Sequence, residues 1–194
     1  MCKFLLSLFS KKPVPEQNPV QAEPTIIKPK EEKVPEAKKP WNFTADEILK
    51  KSGIKYADLP QSDKENLDKL VEAVNKLGTM VPDSLKGPRK CNSGYRSSAD
   101  QFRIYKDRAK KKQAPFEDGV YVESKVPRTA HMTGEAIDIN DPNGDLDNWL
   151  MDTAEGKQAV KELDLYIEHK DYTAGWCHVQ IRKTKSGNRY FIPY

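Results

Sequence analysis

Residues 11–40 read KKPVPEQNPVQAEPTIIKPKEEKVPEAKKP and hold seven of the chain's fourteen prolines, with lysine and glutamate filling most of the rest. Such a segment lacks the apolar surface needed to offset the entropy of ordering. It is expected to form an extended tether, reaching roughly 90 Å at about 3.1 Å per residue in polyproline II geometry. That leaves residues 41–194 to build the fold, enough for one domain of ordinary size. Ahead of the tether, residues 1–10 (MCKFLLSLFS) form a short apolar segment. A membrane span takes about 20 apolar residues, and no convincing leader cleavage site follows. Contact with a membrane surface, docking on a partner and a frayed terminus stay open for it.

The formal net charge is +4. Eight lysines and five glutamates put +3 of this in residues 1–40, leaving 25 basic and 24 acidic side chains in residues 41–194. The folded part therefore lacks the basic face of a general nucleic-acid binder, and no nucleic-acid partner is expected. One basic run, Lys106 to Lys112, fits a solvated helix face or a contact with an anionic wall polymer. The three cysteines, Cys2, Cys91 and Cys177, make neither a disulfide framework nor a CxxC zinc ribbon. A Cys91–Cys177 bridge requires neighbouring strands; two small buried hydrophobes are the simpler expectation.

From Trp41 onward, helices come first and short strands come late. FTADEILKKSG reads as a helix capped by Thr44, with Glu47 three residues on and Gly53 past its end. QSDKENLDKLVEAVNKLGT places Leu67, Leu70, Val71, Val74 and Leu77 on one face, with Gly78 expected to end the helix. GPRKCNSGYRSS reads as a strand and turn, and SADQFRIYKDRAKKKQ as a helix capped by Ser97 or Ser98. A strand in GEAIDIN precedes a turn and further helix, and LYIEHKD and GWCHVQIRK form a hairpin; RYFIPY is a last strand or a packed tail. The fold class is α+β, with a small, largely antiparallel sheet and flanking helices.

Two strands carry the chemistry. In EAIDIN, Ile137 and Ile139 face one side and Asp138 the other; in GWCHVQI, Cys177 and Val179 face one side and Trp176, His178 and Gln180 the other. With the apolar sets in the core, Asp138 and His178 share a polar face, and His131 reaches it through the turn at Gly134. Two imidazoles and a carboxylate match a catalytic zinc site with one open position. Capped turns and internally satisfied polar groups explain the same residues without a metal. DPNGDLD, 141–147, begins like a calcium loop, but Leu146 stands where that loop needs glycine and Asp152 where it needs glutamate. A turn at Asn143-Gly144 with Asp145 capping the next helix is expected instead.

SGYRS (93–97), HMTGEAID (131–138) and GWCHVQ (175–180), in this order, resemble the zinc peptidases that cut bacterial peptidoglycan stem peptides. These are the VanY-like D-Ala-D-Ala carboxypeptidases and the L-alanyl-D-glutamate endopeptidases found as bacteriophage endolysins, with the fold of the hedgehog domain. The resemblance covers roughly residues 41–194 and implies a hedgehog/DD-peptidase-like domain there. It implies Zn²⁺ held by His131, Asp138 and His178, and substrate contact through Arg96. Gln101, on the helix after Arg96, either adds a hydrogen bond there or faces solvent. Thr129 stands where the family has serine. Many relatives place an acidic residue three positions before the last histidine, where this chain has Gly175. Glu168, on the preceding strand, is the expected general acid/base, as in phage relatives, with Asp171 as the fallback and His169 pointing away.

The resemblance implies hydrolysis of a stem-peptide bond, by a carboxypeptidase or an endopeptidase. With no clear export signal, a phage lysis enzyme made in the cytoplasm and acting on the cell wall fits best, with a host-encoded wall enzyme as the alternative; a monomer is expected. A non-catalytic wall-binding or virion protein that keeps the fold is the alternative that Gly175 sustains; a hedgehog-like signalling module finds little support in these motifs.

Overall fold

The computed structural model describes residues 39–111 and 126–193. The expectations for the apolar segment and for the tether up to residue 38 lie outside them, as do Cys2 and Lys112.

Thr44 caps α1 (Ala45–Leu49) by accepting from the Glu47 amide at 3.2 Å. The Glu47 carboxylate does not fold back on the cap. It accepts from the Cys91 amide at 3.4 Å, tying α1 to β1 (Cys91–Ser93). In α2 (Gln61–Met80) the i, i+3, i+7 pattern puts Leu67, Leu70, Val74 and Leu77 wholly out of solvent. The helix does not stop at Gly78. A Cβ there would lie 2.6 Å from Cβ and Cγ of Trp41, so this glycine admits the indole against the helix. Ser97 caps α3 (Ser98–Lys110) through the Asp100 amide.

After β2 (Ala136–Asp141) the chain turns at Gly144 into α4 (Asp145–Asp152), then α5 (Ala154–Glu162). The cap on α4 is Asp141 rather than Asp145. Its carboxylate accepts from the Leu146 amide at 3.0 Å and the Asp147 amide at 3.1 Å, because a strand-end side chain can reach the open N–H groups from below. Asp145 stays exposed. β3 (Tyr166–Glu168) and β4 (Gly175–Gln180) form the expected antiparallel pair, and β5 (Tyr190–Phe191) follows.

The sheet order is β1-β2-β4-β3-β5. The first three pairings are antiparallel, whereas β5 runs parallel to β3, so the sheet is mixed at that edge. Ile137, Ile139, Cys177 and Val179 face a core shared with α2, α4 and the Trp41–Phe43 lead-in. Cys91 and Cys177 both register with Ile139, one on each side of β2. Strands two apart lie about 10 Å from each other, too far for a disulfide, and both thiols are free. The opposite face of β2 and β4 is the one that carries the polar residues.

Candidate metal centre

Antiparallel register sets Asp138 directly across from His178. His131 arrives from a 3-10 turn (Ala130–Thr133) that ends at Gly134 in the left-handed region, φ 73°. Burial claims all three side chains, and one ligand atom from each lies within 4.8 Å of the others. The imidazoles meet edge to face at 5.0 Å.

The hydrogen bonds assign the tautomers. His131 Nδ1 lies 2.7 Å from the Gly94 carbonyl, which only accepts, so Nδ1 carries the proton and Nε2 presents a lone pair. His178 Nε2 lies 3.1 Å from Gln180 Oε1; the Gln180 amide nitrogen donates to the Arg182 carbonyl at 2.6 Å, which fixes the oxygen toward the ring. His178 Nδ1 is therefore the nitrogen left with the lone pair. Both lone pairs converge on Asp138 Oδ1, at 3.3 Å from His131 Nε2 and 2.8 Å from His178 Nδ1. Three acceptors in a buried space need a cation between them, a proton or a metal ion. The donor set, two imidazoles and a carboxylate with second partners on each imidazole, fits Zn²⁺.

The electrostatics follow from the same contacts. Burial opposes ionisation of Asp138, but the two imidazoles hold its carboxyl well below the usual range. Burial lowers the His131 pKa, while Asp138 raises that of His178 against the cost of burial. The second oxygen, Asp138 Oδ2, accepts from Arg96 Nη2 at 3.0 Å.

Arg96 is held at every nitrogen: Nε donates to Ser93 Oγ at 3.0 Å and Nη1 to Gln101 Oε1 at 3.3 Å. Gln101 is buried and faces this network rather than solvent. Arg96, Gln101, Glu168, Trp176 and the three candidate ligands line one cleft of about 220 Å³. Glu168 stands one step beyond the Ile167–Val179 pair, on the His178 side of the hairpin. Burial raises its carboxyl above the ordinary range, with His178 opposing. Asp171 is on the surface, beside His169 at 3.3 Å, and neither lines the cleft.

Tyr105, Arg108 and Phe191 also line the cleft and were not anticipated. Gln101, Tyr105 and Arg108 are spaced i, i+4, i+7 on α3, so helical periodicity from Gln101 would have found two of them. Gln180 was placed on the polar face by strand alternation, but its bond to His178 depends on rotamers that alternation does not specify.

The family described as VanY, D-alanyl-D-alanine carboxypeptidase, matches residues 58–187. The chain belongs to the VanY family. The matched stretch contains β1 to β4 and the whole His131–Asp138–His178 cluster. Helix α1 and Trp41 precede it, yet they pack into the same core as the VanY-matched residues. No curated protein matches the chain. Among solved structures, it is similar to the L-Ala D-Glu endopeptidase ChiX of Serratia marcescens. That likeness has 17% identity, covers 67% of this chain and 93% of that one, and gives a TM-score of 0.36.

Proposed function

We propose that this VanY-family chain is a zinc-dependent peptidase that hydrolyses a peptide bond in peptidoglycan stem peptides. The observation that carries the reading is the convergence of His131 Nε2, His178 Nδ1 and Asp138 Oδ1 in a cleft that also takes in Glu168. His131, Asp138 and His178 would hold the zinc ion, which would supply Lewis acidity that activates water near neutral pH.

Glu168 takes a proton from the attacking water and returns it to the leaving amine. A carboxyl raised by burial is suited to that exchange, because its proton affinity lies nearer the working pH. Arg96 orients Asp138 through Oδ2 and directs positive charge into the cleft, where the scissile carbonyl develops negative charge. Gln101 fixes the guanidinium plane through Nη1. The presence of Glu168 in the cleft supports an enzyme over a wall-binding protein, since Gly175 offers no acid. The motif resemblance adds phage lysis at the cell wall as the context, and we propose that the chain acts there as a monomer. Among the described residues no helix is long and apolar enough to cross a membrane.

The test is mass spectrometry of purified peptidoglycan digested with zinc-loaded and with chelator-treated protein. New peptide termini with the loaded protein alone are expected, and their masses name the bond. Folded, zinc-loaded protein that releases no peptide from peptidoglycan refutes the catalytic reading.

A further inference from the structure

Two residues beyond the candidate ligands connect both imidazoles to one another. Gln180 follows His178 by two positions on β4, so its side chain lies on the same face of the strand. It is buried. Its Oε1 accepts from His178 Nε2 at 3.1 Å, and its Nε2 donates to the Arg182 carbonyl at 2.6 Å. An amide can do both at once; a carboxylate, a thioether or an alkyl chain cannot.

Arg182 then reaches across to the turn that carries His131. Its Nε donates to Glu135 Oε2 at 2.7 Å, its Nη1 to the Arg128 carbonyl at 2.8 Å, and its Nη2 to Thr133 Oγ1. The guanidinium thus holds the chain before the turn, within it and just after it. A lysine ammonium lacks the planar fork that makes these bonds at fixed angles.

We propose that Gln180 and Arg182 are positioning residues that preset both imidazoles for a metal ion. Gln180 keeps the His178 proton on Nε2 and leaves Nδ1 facing Asp138. Arg182 anchors the Gln180 amide through its own carbonyl and clamps the His131 turn through its side chain. The proposal rests on the metal-site reading of the cluster, but not on peptidase activity. Groups that fix a ligand's tautomer and ring plane typically change metal affinity 10- to 100-fold when removed.

The probe is zinc alone, with affinity measured by competition against a chromophoric chelator on the full chain. Gln180→Met, close to isosteric, removes donor and acceptor and is expected to weaken zinc binding 10- to 100-fold. Gln180→Glu keeps an acceptor for Nε2–H and is expected to recover most of that loss. Arg182→Lys is expected to weaken binding several-fold through the His131 turn. Thermal melts of the chelated proteins check that each variant folds. Long-range proton–nitrogen NMR on zinc-loaded wild type should show the His178 proton on Nε2, a readout that needs no variant to fold. Zinc affinity in Gln180→Met within twofold of wild type, or the His178 proton on Nδ1, overturns the proposal. Zinc binding that responds as expected in a protein that cuts no peptidoglycan sinks the catalytic reading and leaves this one standing.

Discussion

Asp138→Asn separates the metal reading of the cluster from a purely structural one. Asp138 supplies the only carboxylate in the cluster and pairs with Arg96, whose side chain is 18% exposed against 10% for Asp138. Breaking a buried ion pair by removing one partner costs about 3–5 kcal/mol. The asparagine oxygen still accepts one N–H from Arg96, which puts the expected cost at about 3 kcal/mol. At roughly 2–4 °C per kcal/mol for a domain of this size, the chelated variant should melt about 6–12 °C below chelated wild type. Zinc at about 1,000 times its dissociation constant should stabilise wild type by about 4 kcal/mol. That corresponds to a rise of roughly 8–16 °C. The variant should show almost none of this rise, because an amide oxygen is a weak ligand beside two imidazoles. Calorimetry in chelator and in zinc measures both effects. A full zinc shift in Asp138→Asn would refute its place as a ligand, and an unchanged melting point in chelator would refute the buried-pair argument.

Glu168→Gln should keep the zinc-induced shift while peptidoglycan turnover falls about 10²- to 10⁴-fold; turnover near wild type assigns the proton transfer elsewhere. Asp147 has one carboxylate oxygen without a hydrogen-bond partner, and burial raises its carboxyl above the ordinary range. The folded state then binds the proton more tightly than the unfolded one, so this group costs stability as pH rises from the ordinary carboxylate value through its raised one. Asp147→Asn should therefore melt at least as high as wild type at pH 8 and lose that pH dependence; a lower melting point at pH 8 counts against the assignment. Gly78→Ala sets an overpacking cost of about 1–3 kcal/mol against Trp41 over a helix-propensity gain of about 1 kcal/mol. The expected net is a fall of a few degrees in melting temperature, and a rise would show that the indole moves freely.

Alternation made the two strands of the candidate site legible. Ile137 and Ile139 against Asp138, and Cys177 and Val179 against His178, are period-two patterns that survive folding because one face is buried. The pairing of those strands was not legible from alternation. Asp138 and His178 are 40 positions apart, and their register depends on β4 lying in the centre of the sheet, with β2 on one side and β3 on the other. Boundaries failed where a distant side chain intervened. Gly78 looked like a helix stop because the signal is local, whereas Trp41 needs that glycine inside the helix. Asp145 looked like a cap for the same reason, while Asp141, four residues upstream, takes the amides.

The three motifs occur together for a physical reason that none of them shows alone. Gly94, in SGYRS, accepts from His131 Nδ1 at 2.7 Å, and the His131 carbonyl accepts from the Arg96 amide at 3.1 Å. The Arg96 side chain returns to Asp138 Oδ2 at 3.0 Å, and Asp138 Oδ1 meets His178 Nδ1 at 2.8 Å. These contacts link one strand-and-turn, one 3-10 turn and two strands through the candidate ligands themselves. Displacing Gly94 would free the His131 tautomer, and displacing Arg96 would free the Asp138 rotamer. A metal ion needs all its donors fixed at once. Gly94 and Arg96, far upstream in sequence, therefore belong to the candidate site as firmly as His131, Asp138 and His178 do.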